Sequence, residues 1–319
     1  GWFMNFGQDS TFGGNKTAGG NADDSGFGDF FYAVPSGHLA VCSANLGISS
    51  DIDPAQTDTD YPSKQFNCIA YTGTGSSNAV TGLGFQPDLV VIKNRSGTQG
   101  TKWTDSSRGV TKVLQSAVAN AESTDSNGLT AFGSDGFTVG SDAGYNGSSN
   151  GMVAWCWKAN GGTTATNTEG ATNSTVQANT KAGFSIIQYV GTGSTTTIGH
   201  GLDTAPDFMI HKNRDTTDNW VVYARSQGAS KRAQLNSNIT WGTSTGSFNS
   251  TDPSSTLITL GSSSGTNASS GNYVCYAWHN VEGYQRFGTY SGNNTDNDGP
   301  FCYLGFRPRL LVIKGATEA

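Results

Sequence analysis

The groups in this sequence that could carry catalysis are few and scattered. The histidines are His38, His200, His211 and His279; none is paired at metal-ligand spacing, and no HExxH pattern occurs. His211 stands in an apolar run whose earlier copy has Ile92 there, which reads as a structural position. The glutamates, Glu122, Glu169, Glu282 and Glu318, share no place in the repeats described below. A glycosidase needs two carboxylates across a cleft, and no aspartate pair stands out for that task. "GSSSG" at Gly261 to Gly265 matches the nucleophile-elbow pattern by letter, but it sits in a Ser/Gly tract with no helix expected after it. "NTDNDG" from Asn294 opens like a calcium loop, yet its twelfth position is Gly305, where a bidentate acid is required. A looser Ca²⁺ site from Asp296 and Asp298, or from Asp51 and Asp53, is the weak reading; an Asx-rich turn is the ordinary one. No catalytic residue, metal-ligand set or cofactor is assigned.

Better candidates are polar and aromatic residues that recur. Asn94 and Arg95 return as Asn213 and Arg214, and Trp103 is matched with Trp220. Arg and Trp are favoured at binding hot spots, and a Trp face stacks on a sugar ring. The same residues also suit a Trp in each core and an Arg bonded to a neighbouring carbonyl, and that scaffold reading carries more weight.

These residues belong to a sentence written three times. "YTGTGSSNAVTGLGFQPDLVVIKNR" starts at Tyr71, "YVGTGSTTTIGHGLDTAPDFMIHKNR" at Tyr189, and a looser "YSGNNTDNDGPFCYLGFRPRLLVIKG" at Tyr290. The spacing is about that of a whole β-sandwich, far longer than a solenoid repeat, so tandem domains are expected. "GTGSSN" and "GTGSTT" supply glycines for a turn. "GLGFQPD" and "GLDTAPD" place a Pro just ahead of the strand, where its missing N–H does not harm the ladder. "DLVVIK" and "DFMIHK" are apolar on both faces, as a central, doubly covered strand is. "MVAWCWK" and "YVCYAWH" alternate: Val153, Trp155 and Trp157 match Val274, Tyr276 and Trp278 on a bulky face, while Ala154 and Cys156 match Cys275 and Ala277 on a small one.

Composition agrees with a turn-rich all-β chain. Only 13% of residues are charged and 11% are aromatic, too little charge and too much aromatic surface for a solvated disordered segment. The net charge of -6 and the absence of any Lys/Arg block exclude a nucleic-acid backbone as partner on electrostatic grounds. No apolar run approaches membrane-spanning length, so no membrane insertion is expected. The cysteines, Cys42, Cys68, Cys156, Cys275 and Cys302, are odd in number and lack a CxxC; buried free thiols, with no disulfide, and folding in a reducing cytoplasm are expected. Asn-x-Ser/Thr matches such as Asn15, Asn173 and Asn249 are chance in a chain this rich in Asn, Ser and Thr.

The fold class expected is all-β, with tandem antiparallel β-sandwich modules. Residues 1–46 form a first block, 47–65 a linker and 66–160 the first module. Residues 161–183 form a second linker, 184–283 the second module, and 284–319 the start of a truncated third. Both ends read as strands cut from a longer polypeptide.

Within residues 1–46, "MNFGQDSTF", "GGNKTAGGNADDSGFGDFFYAVPSG" and "HLAVCSANL" resemble the C-terminal part of SPRY-type, concanavalin-like β-sandwich domains of tailed bacteriophages. The "YTGTG…GLGFQPDLVVIKNR…DGFTVGS…VAWCWK" units resemble modules of unknown function that follow such domains in large phage virion proteins. The resemblance implies a non-enzymatic virion structural protein, assembled in the host cytoplasm. A tail fibre or appendage engaged in host-surface glycan attachment comes first; a capsid-decoration or tail component without a ligand is the alternative, and a polysaccharide-degrading tailspike comes last. Implied partners are other virion proteins, a symmetric homo-oligomer such as a trimer, and host glycan. Rigid sandwiches on short linkers would make a reach-extending arm.

Overall fold

The computed structural model describes residues 11–12, 20–24, 26, 32–37, 41–42, 61–294 and 298–315. The chain forms two compact units, 1–56 and 57–319. In the first, strands β1 (Thr11–Phe12) and β2 (Val41–Cys42) pair antiparallel, with Thr11 opposite Cys42. Most of the block expected at 1–46 and of the linker at 47–65 lies outside the described residues. The linker's last residues include a 3-10 turn, Pro62–Lys64.

The second unit holds two modules. Strands β3 (Phe66–Thr72), β4 (Asn78–Thr81), β5 (Leu89–Asn94), β6 (Lys102–Asp105), β7 (Lys112–Gln115), β8 (Ser123–Thr124), β9 (Leu129–Gly133) and β10 (Gly136–Val139) precede the one-turn helix α1 (Ala143–Asn146) and strand β11 (Gly151–Trp157). They form a six-stranded sheet, β3-β11-β5-β6-β7-β8, and a three-stranded sheet, β4-β10-β9. The second module begins with β12 (Ala165–Asn167), β13 (Ser174–Asn179), β14 (Phe184–Val190), β15 (Thr196–Gly199), β16 (Phe208–Asn213), β17 (Val221–Ala224), β18 (Lys231–Gln234) and β19 (Gly242–Thr243). It ends with α2 (Thr245–Phe248), β20 (Leu257–Leu260), α3 (Ser264–Asn267) and β21 (Asn272–Trp278). Its sheets run β12-β13-β14-β21-β16-β17-β18-β19 and β15-β20. The linker expected at 161–183 therefore carries two strands. Ser174, Val176 and Gln177 of β13 are buried; the polar composition hid a strand that extends the second module's large sheet.

Three apolar layers stack between these sheets. The small face of β11 (Met152, Ala154, Cys156) packs with Val90 and Ile92 against Val80, Phe137 and Val139 of the three-stranded sheet. Cys275 and Ala277 of β21 pack likewise with Met209 against Ile198, Ile258 and Leu260. The bulky faces form the third layer, which joins the modules: Leu89, Val91, Trp103 and Leu114 meet Ile210, Trp220, Val222, Val274, Tyr276 and Trp278, with Trp155 and Trp157 packed against them. The alternation along β11 and β21 thus separates two cores, and the apolar run of β5 is covered on both faces, as expected. The tandem domains are not an extended arm. They pair through their large sheets.

The pairing uses equivalent faces. Strand registers place Val91 opposite Trp103 and Ile210 opposite Val222, and Trp155 opposite Val91 and Tyr276 opposite Ile210. Trp103 therefore corresponds to Val222 and not, as matched from sequence, to Trp220, which lies two residues earlier. An interface between like faces is isologous, here as a pseudo-symmetric pair within one chain.

The repeated sentence encodes staples. Asp88, after Pro87, accepts from the backbone N–H groups of Ala159 (2.7 Å), Gly161 (2.9 Å) and Gly162 (2.7 Å) and from the Ser106 hydroxyl (2.7 Å). Asp207 accepts from the Asn280 N–H (2.7 Å) and pairs with Arg225 (3.0 Å). Each glycine turn is held by one buried asparagine. Asn146 accepts from the Thr74 N–H (2.8 Å) and donates to the Gly140 carbonyl (2.7 Å); Asn267 does the same with Thr192 (2.7 Å) and Gly261 (2.6 Å). A Cβ on Gly73 or Gly191 would run into the carbonyl of Gly147 or Ala268, so the turn needs glycine there.

The third copy forms no strand among the described residues. Leu311, Val312 and Ile313, expected as a third central strand, are exposed. Their counterparts in β5 and β16 lie between two hydrogen-bonded neighbours, whereas β11 and β21 are already bonded on both sides.

Ser149 and Ser270 occupy equivalent turns with φ of 60° and 61°, in the left-handed region that favours glycine. Ser149→Gly and Ser270→Gly are each expected to raise stability by up to about 1 kcal/mol in chemical denaturation. Trp220 is fully buried against Trp103 (ring centroids 5.3 Å). Trp220→Ala should cost about 3–5 kcal/mol, with both modules unfolding in one transition; a separate early transition of one module would contradict the shared layer.

Candidate functional site

Of the residues singled out by recurrence, Trp103, Trp220 and Arg214 reach the module junction, Asn94 and Asn213 hold turns within their own modules, and Arg95 is exposed. Trp103 and Trp220 are buried against each other and offer no free face to a sugar. Their ring nitrogens donate inward, Trp103 to the Ser116 hydroxyl (2.9 Å) and Trp220 to the Gln115 and Val118 carbonyls (3.1 and 3.2 Å). Asn94 and Asn213 are buried turn residues: Asn94 Oδ1 accepts from the Ser96 N–H (2.9 Å), Asn213 Oδ1 from the Asp215 N–H (2.9 Å). Asn94 Nδ2 donates to the Ala143 carbonyl (2.8 Å), while Asn213 Nδ2 reaches the Tyr273 hydroxyl (3.0 Å), which donates on to the Ser264 carbonyl. Arg95 and Arg214 diverge. Arg95 is exposed, and its guanidinium has no partner among the described residues. Arg214 grips Glu122 of the first module with two bonds of 3.0 Å and Gln188 at 2.8 Å.

That ion pair belongs to a buried cluster that sequence reasoning missed. Arg108 donates from Nε to Asp105 (2.5 Å), from Nη1 to Glu122 (2.9 Å) and from Nη2 to the Trp103 carbonyl (3.0 Å). Tyr276 of the second module donates to Asp105 (2.7 Å). Asp105 and Arg108 have fully buried side chains, so each charge depends on its partner. Nothing in the repeat pattern announced this cluster: Glu122 has no counterpart, because the pair is symmetric in fold but not in these charges. Lys212, also buried, spans the junction from the other side, donating to the Ala119 and Asn213 carbonyls (3.1 and 2.7 Å).

One constellation has the composition of a nucleophilic site. His211 sits between Cys275 (Nε2 to Sγ 3.4 Å) and the Tyr189 hydroxyl (Nδ1 to O 3.0 Å). Tyr189 donates to the Thr266 carbonyl (2.6 Å), so Nδ1 carries the imidazole proton and Nε2 accepts from the thiol. Burial pulls the His211 pKa down to about 3 and pushes the Cys275 thiol well up. A protonated thiol beside a neutral, fully buried imidazole is packing, not an activated pair.

The last two residues of "GSSSG" open the single turn α3; Ser263 holds its N-cap position without a side-chain cap bond, where Asp142 of the first module accepts from the Gly144 N–H. The letters belong to a repeated G-S-x-x-G-x-N, Gly140 to Asn146 and Gly261 to Asn267, that positions the stapling asparagine. This pattern was the available signal for Asn146 and Asn267. Of the expected thiols, Cys156 and Cys275 are buried, Cys68 is half-buried and Cys302 is exposed on the third copy. Asp51, Asp53 and Asp296 lie outside the described residues. Among the described residues no His/Cys/Asp/Glu group is placed to hold a metal ion, and no helix is long and apolar enough to cross a membrane.

An open polar depression remains beside the junction. It is lined by Gln65, Lys158, Asn160, Asn179, Thr180 and Lys181, with a volume of about 310 Å³.

Fold and junction define a class: paired all-β sandwiches whose repeated residues build the pair. Residues 61–319 match a family model described as Domain of unknown function (DUF7483), and the chain belongs to that family. No curated protein and no solved structure matches it.

Burial pushes the Glu122 carboxyl up, but hydrogen bonds from Arg214 and Arg108 and the charges of both outweigh it, so its pKa is lowered. The unfolded chain then takes up this proton at higher pH than the folded protein. The stabilisation is present above the unfolded value of about 4.3 and is lost as pH falls through the depressed folded one. Glu122→Gln should lower Tm at pH 7 and flatten the acid-side fall; a Tm–pH curve identical to wild type would refute the cluster's role.

Proposed function

We propose that this chain is a non-enzymatic structural component of a tailed-bacteriophage virion, part of a tail fibre or similar appendage engaged in attachment to host-surface glycan. The observation that carries the non-enzymatic part is the fate of the repeated residues. Asp88, Asp207, Asn94 and Asn213 hold turns and linkers, and Trp103 and Trp220, which are not equivalent positions, hold the module pair. A sequence that repeats its architecture and not a reactive group suits a rigid, load-transmitting element. The likeness of residues 1–46 to phage SPRY-type domains supports the virion setting. Symmetric oligomerisation with other virion proteins, as a trimer in a fibre, would multiply weak glycan contacts by avidity.

A second reading is a capsid-decoration or tail component without a ligand. Burial of Trp103 and Trp220 favours it over glycan stacking on those rings.

Immunogold labelling and peptide mapping of purified particles test the assignment. Label on the tail appendage is the expected result, label on the capsid selects the second reading, and absence from particles overturns both. Incubation with host-surface polysaccharide should release no reducing ends; turnover that disappears on removing an acid pair would make the chain a tailspike enzyme.

A further inference from the structure

The third copy of the repeated sentence carries a strand's worth of residues that the fold leaves unpaired. "LGFRPRLLVIK" at 304–314 follows "LGFQPDLVVIK" at 83–93 almost letter for letter. Gly84 and Gly305 both have a φ of 82°, so the turn ahead of the strand is already built in the third copy. The ladder is what is missing. Among the described residues, no main-chain group of residues 310–314 is hydrogen-bonded to another main-chain group. Leu311, Val312 and Ile313 are 67, 74 and 61% exposed, whereas their counterparts Val90, Val91 and Ile92 are at most 4% exposed.

The segment is moored at both ends to the module pair. Arg309 donates to Asn67 Oδ1 of β3 (2.8 Å), and Lys314 donates to the Ser237 carbonyl after β18 (2.8 Å). Upstream, Phe287 stacks on Phe208 (ring centroids 5.3 Å) and packs against the aromatic layer that joins the modules. The unpaired segment therefore continues the junction already described. Its free N–H and C=O groups are a template for a further strand.

The first two copies show what such a strand pairs with. Val91 lies opposite Trp155, and Val90 and Ile92 lie opposite Cys156 and Ala154. Ile210 lies opposite Tyr276, and Met209 and His211 lie opposite Ala277 and Cys275. Val312 stands where Val91 and Ile210 stand. One position differs in charge. Asp88 and Asp207 accept from backbone N–H groups just past β11 and β21, whereas Arg309 in their place can only donate. Arg307, Arg309 and Lys314 make the segment cationic, with no acid between them, in a chain of net charge -6. A second copy of the chain does not fit. Its β11 and β21 are bonded on both sides, and two third copies paired antiparallel would set Arg309 opposite Lys314.

We propose that residues 310–314 bind, by strand addition, an antiparallel strand of a different polypeptide. That strand sets a Trp or Tyr opposite Val312, between two small residues, and carries a carboxylate just past its end for Arg309. Main-chain bonds supply affinity, while the ring and the charge-assisted bond to Arg309 fix the register. The inference does not depend on the virion assignment; it adds a docking edge to either reading of the function.

The test is hydrogen–deuterium exchange, read by mass spectrometry, on the full chain with a synthetic peptide of residues 151–162 carrying Cys156→Ala and Lys158→Glu. Exchange at residues 310–314 should be fast in the chain alone and slow by about tenfold or more with saturating peptide. Val312→Pro removes a ladder donor at an exposed position and should abolish this protection, and Val312→Thr should keep it. The peptide with Trp155→Ala should bind several-fold more weakly. So should the peptide that keeps Lys158, and that second difference should close at high salt. Denaturation curves verify that the chain variants stay folded. No protection, or protection that survives Val312→Pro, overturns the proposal. Protection in the chain alone that grows with protein concentration makes a second copy the occupant and also overturns it. Equal binding of the peptide that keeps Lys158 overturns the carboxylate's part. Particle labelling bears on none of these outcomes, so a failed docking edge and a failed virion assignment remain distinguishable.

Discussion

The structure depends on one contact: the aromatic layer between the two large sheets. The Trp103 ring lies 5.3 Å from Trp220 and 5.5 Å from Tyr276 by ring centroid, and Trp157 meets Trp278 at 6.1 Å. Aromatic rings bury more area per residue than any other side chain and add an edge-to-face term of their own. Each module's large sheet would otherwise expose this face to water. The pair is thus the folding unit, and each module's second sheet covers the other, smaller face.

Pairing like faces brings a constraint. Each module has one bulky face, and each face is occupied by the other module. Symmetry of fold does not require symmetry of charge, and the chain departs from it where the junction is most buried. Asp105, Arg108 and Glu122 come from one module, Tyr276 and Arg214 from the other. Such a cluster adds little net stability against an apolar alternative but disfavours misregistered pairing, since a shifted sheet would strand a buried charge. Apolar rings supply the attraction and the ions fix the register.

Much of the architecture was legible in one sequence. The period-2 pattern of β11 and β21, the doubly apolar β5 and β16, and the Pro-Asp turns before them all appear as read, because strand periodicity and turn chemistry are local properties. The strand β13 was not legible: its buried positions are Ser174, Val176 and Gln177, which look like linker. Leu310 to Lys314 misled in the opposite direction, with a strand's composition and no neighbours to bond. A strand is a property of its partners as much as of its residues.

The candidate site divides along the same line. The sequence by itself determined that Asn94, Asn213, Asp88 and Asp207 recur at fixed distances from a central strand, and that no metal or catalytic motif accompanies them. Only the tertiary structure decided that Trp103 and Trp220 are not equivalent, that they face each other, and that Glu122 meets Arg214. It also brought Lys158 and Lys181 to one depression. Local spacing fixes which residues share a strand face, but which two faces meet depends on long-range packing that no short stretch of sequence contains.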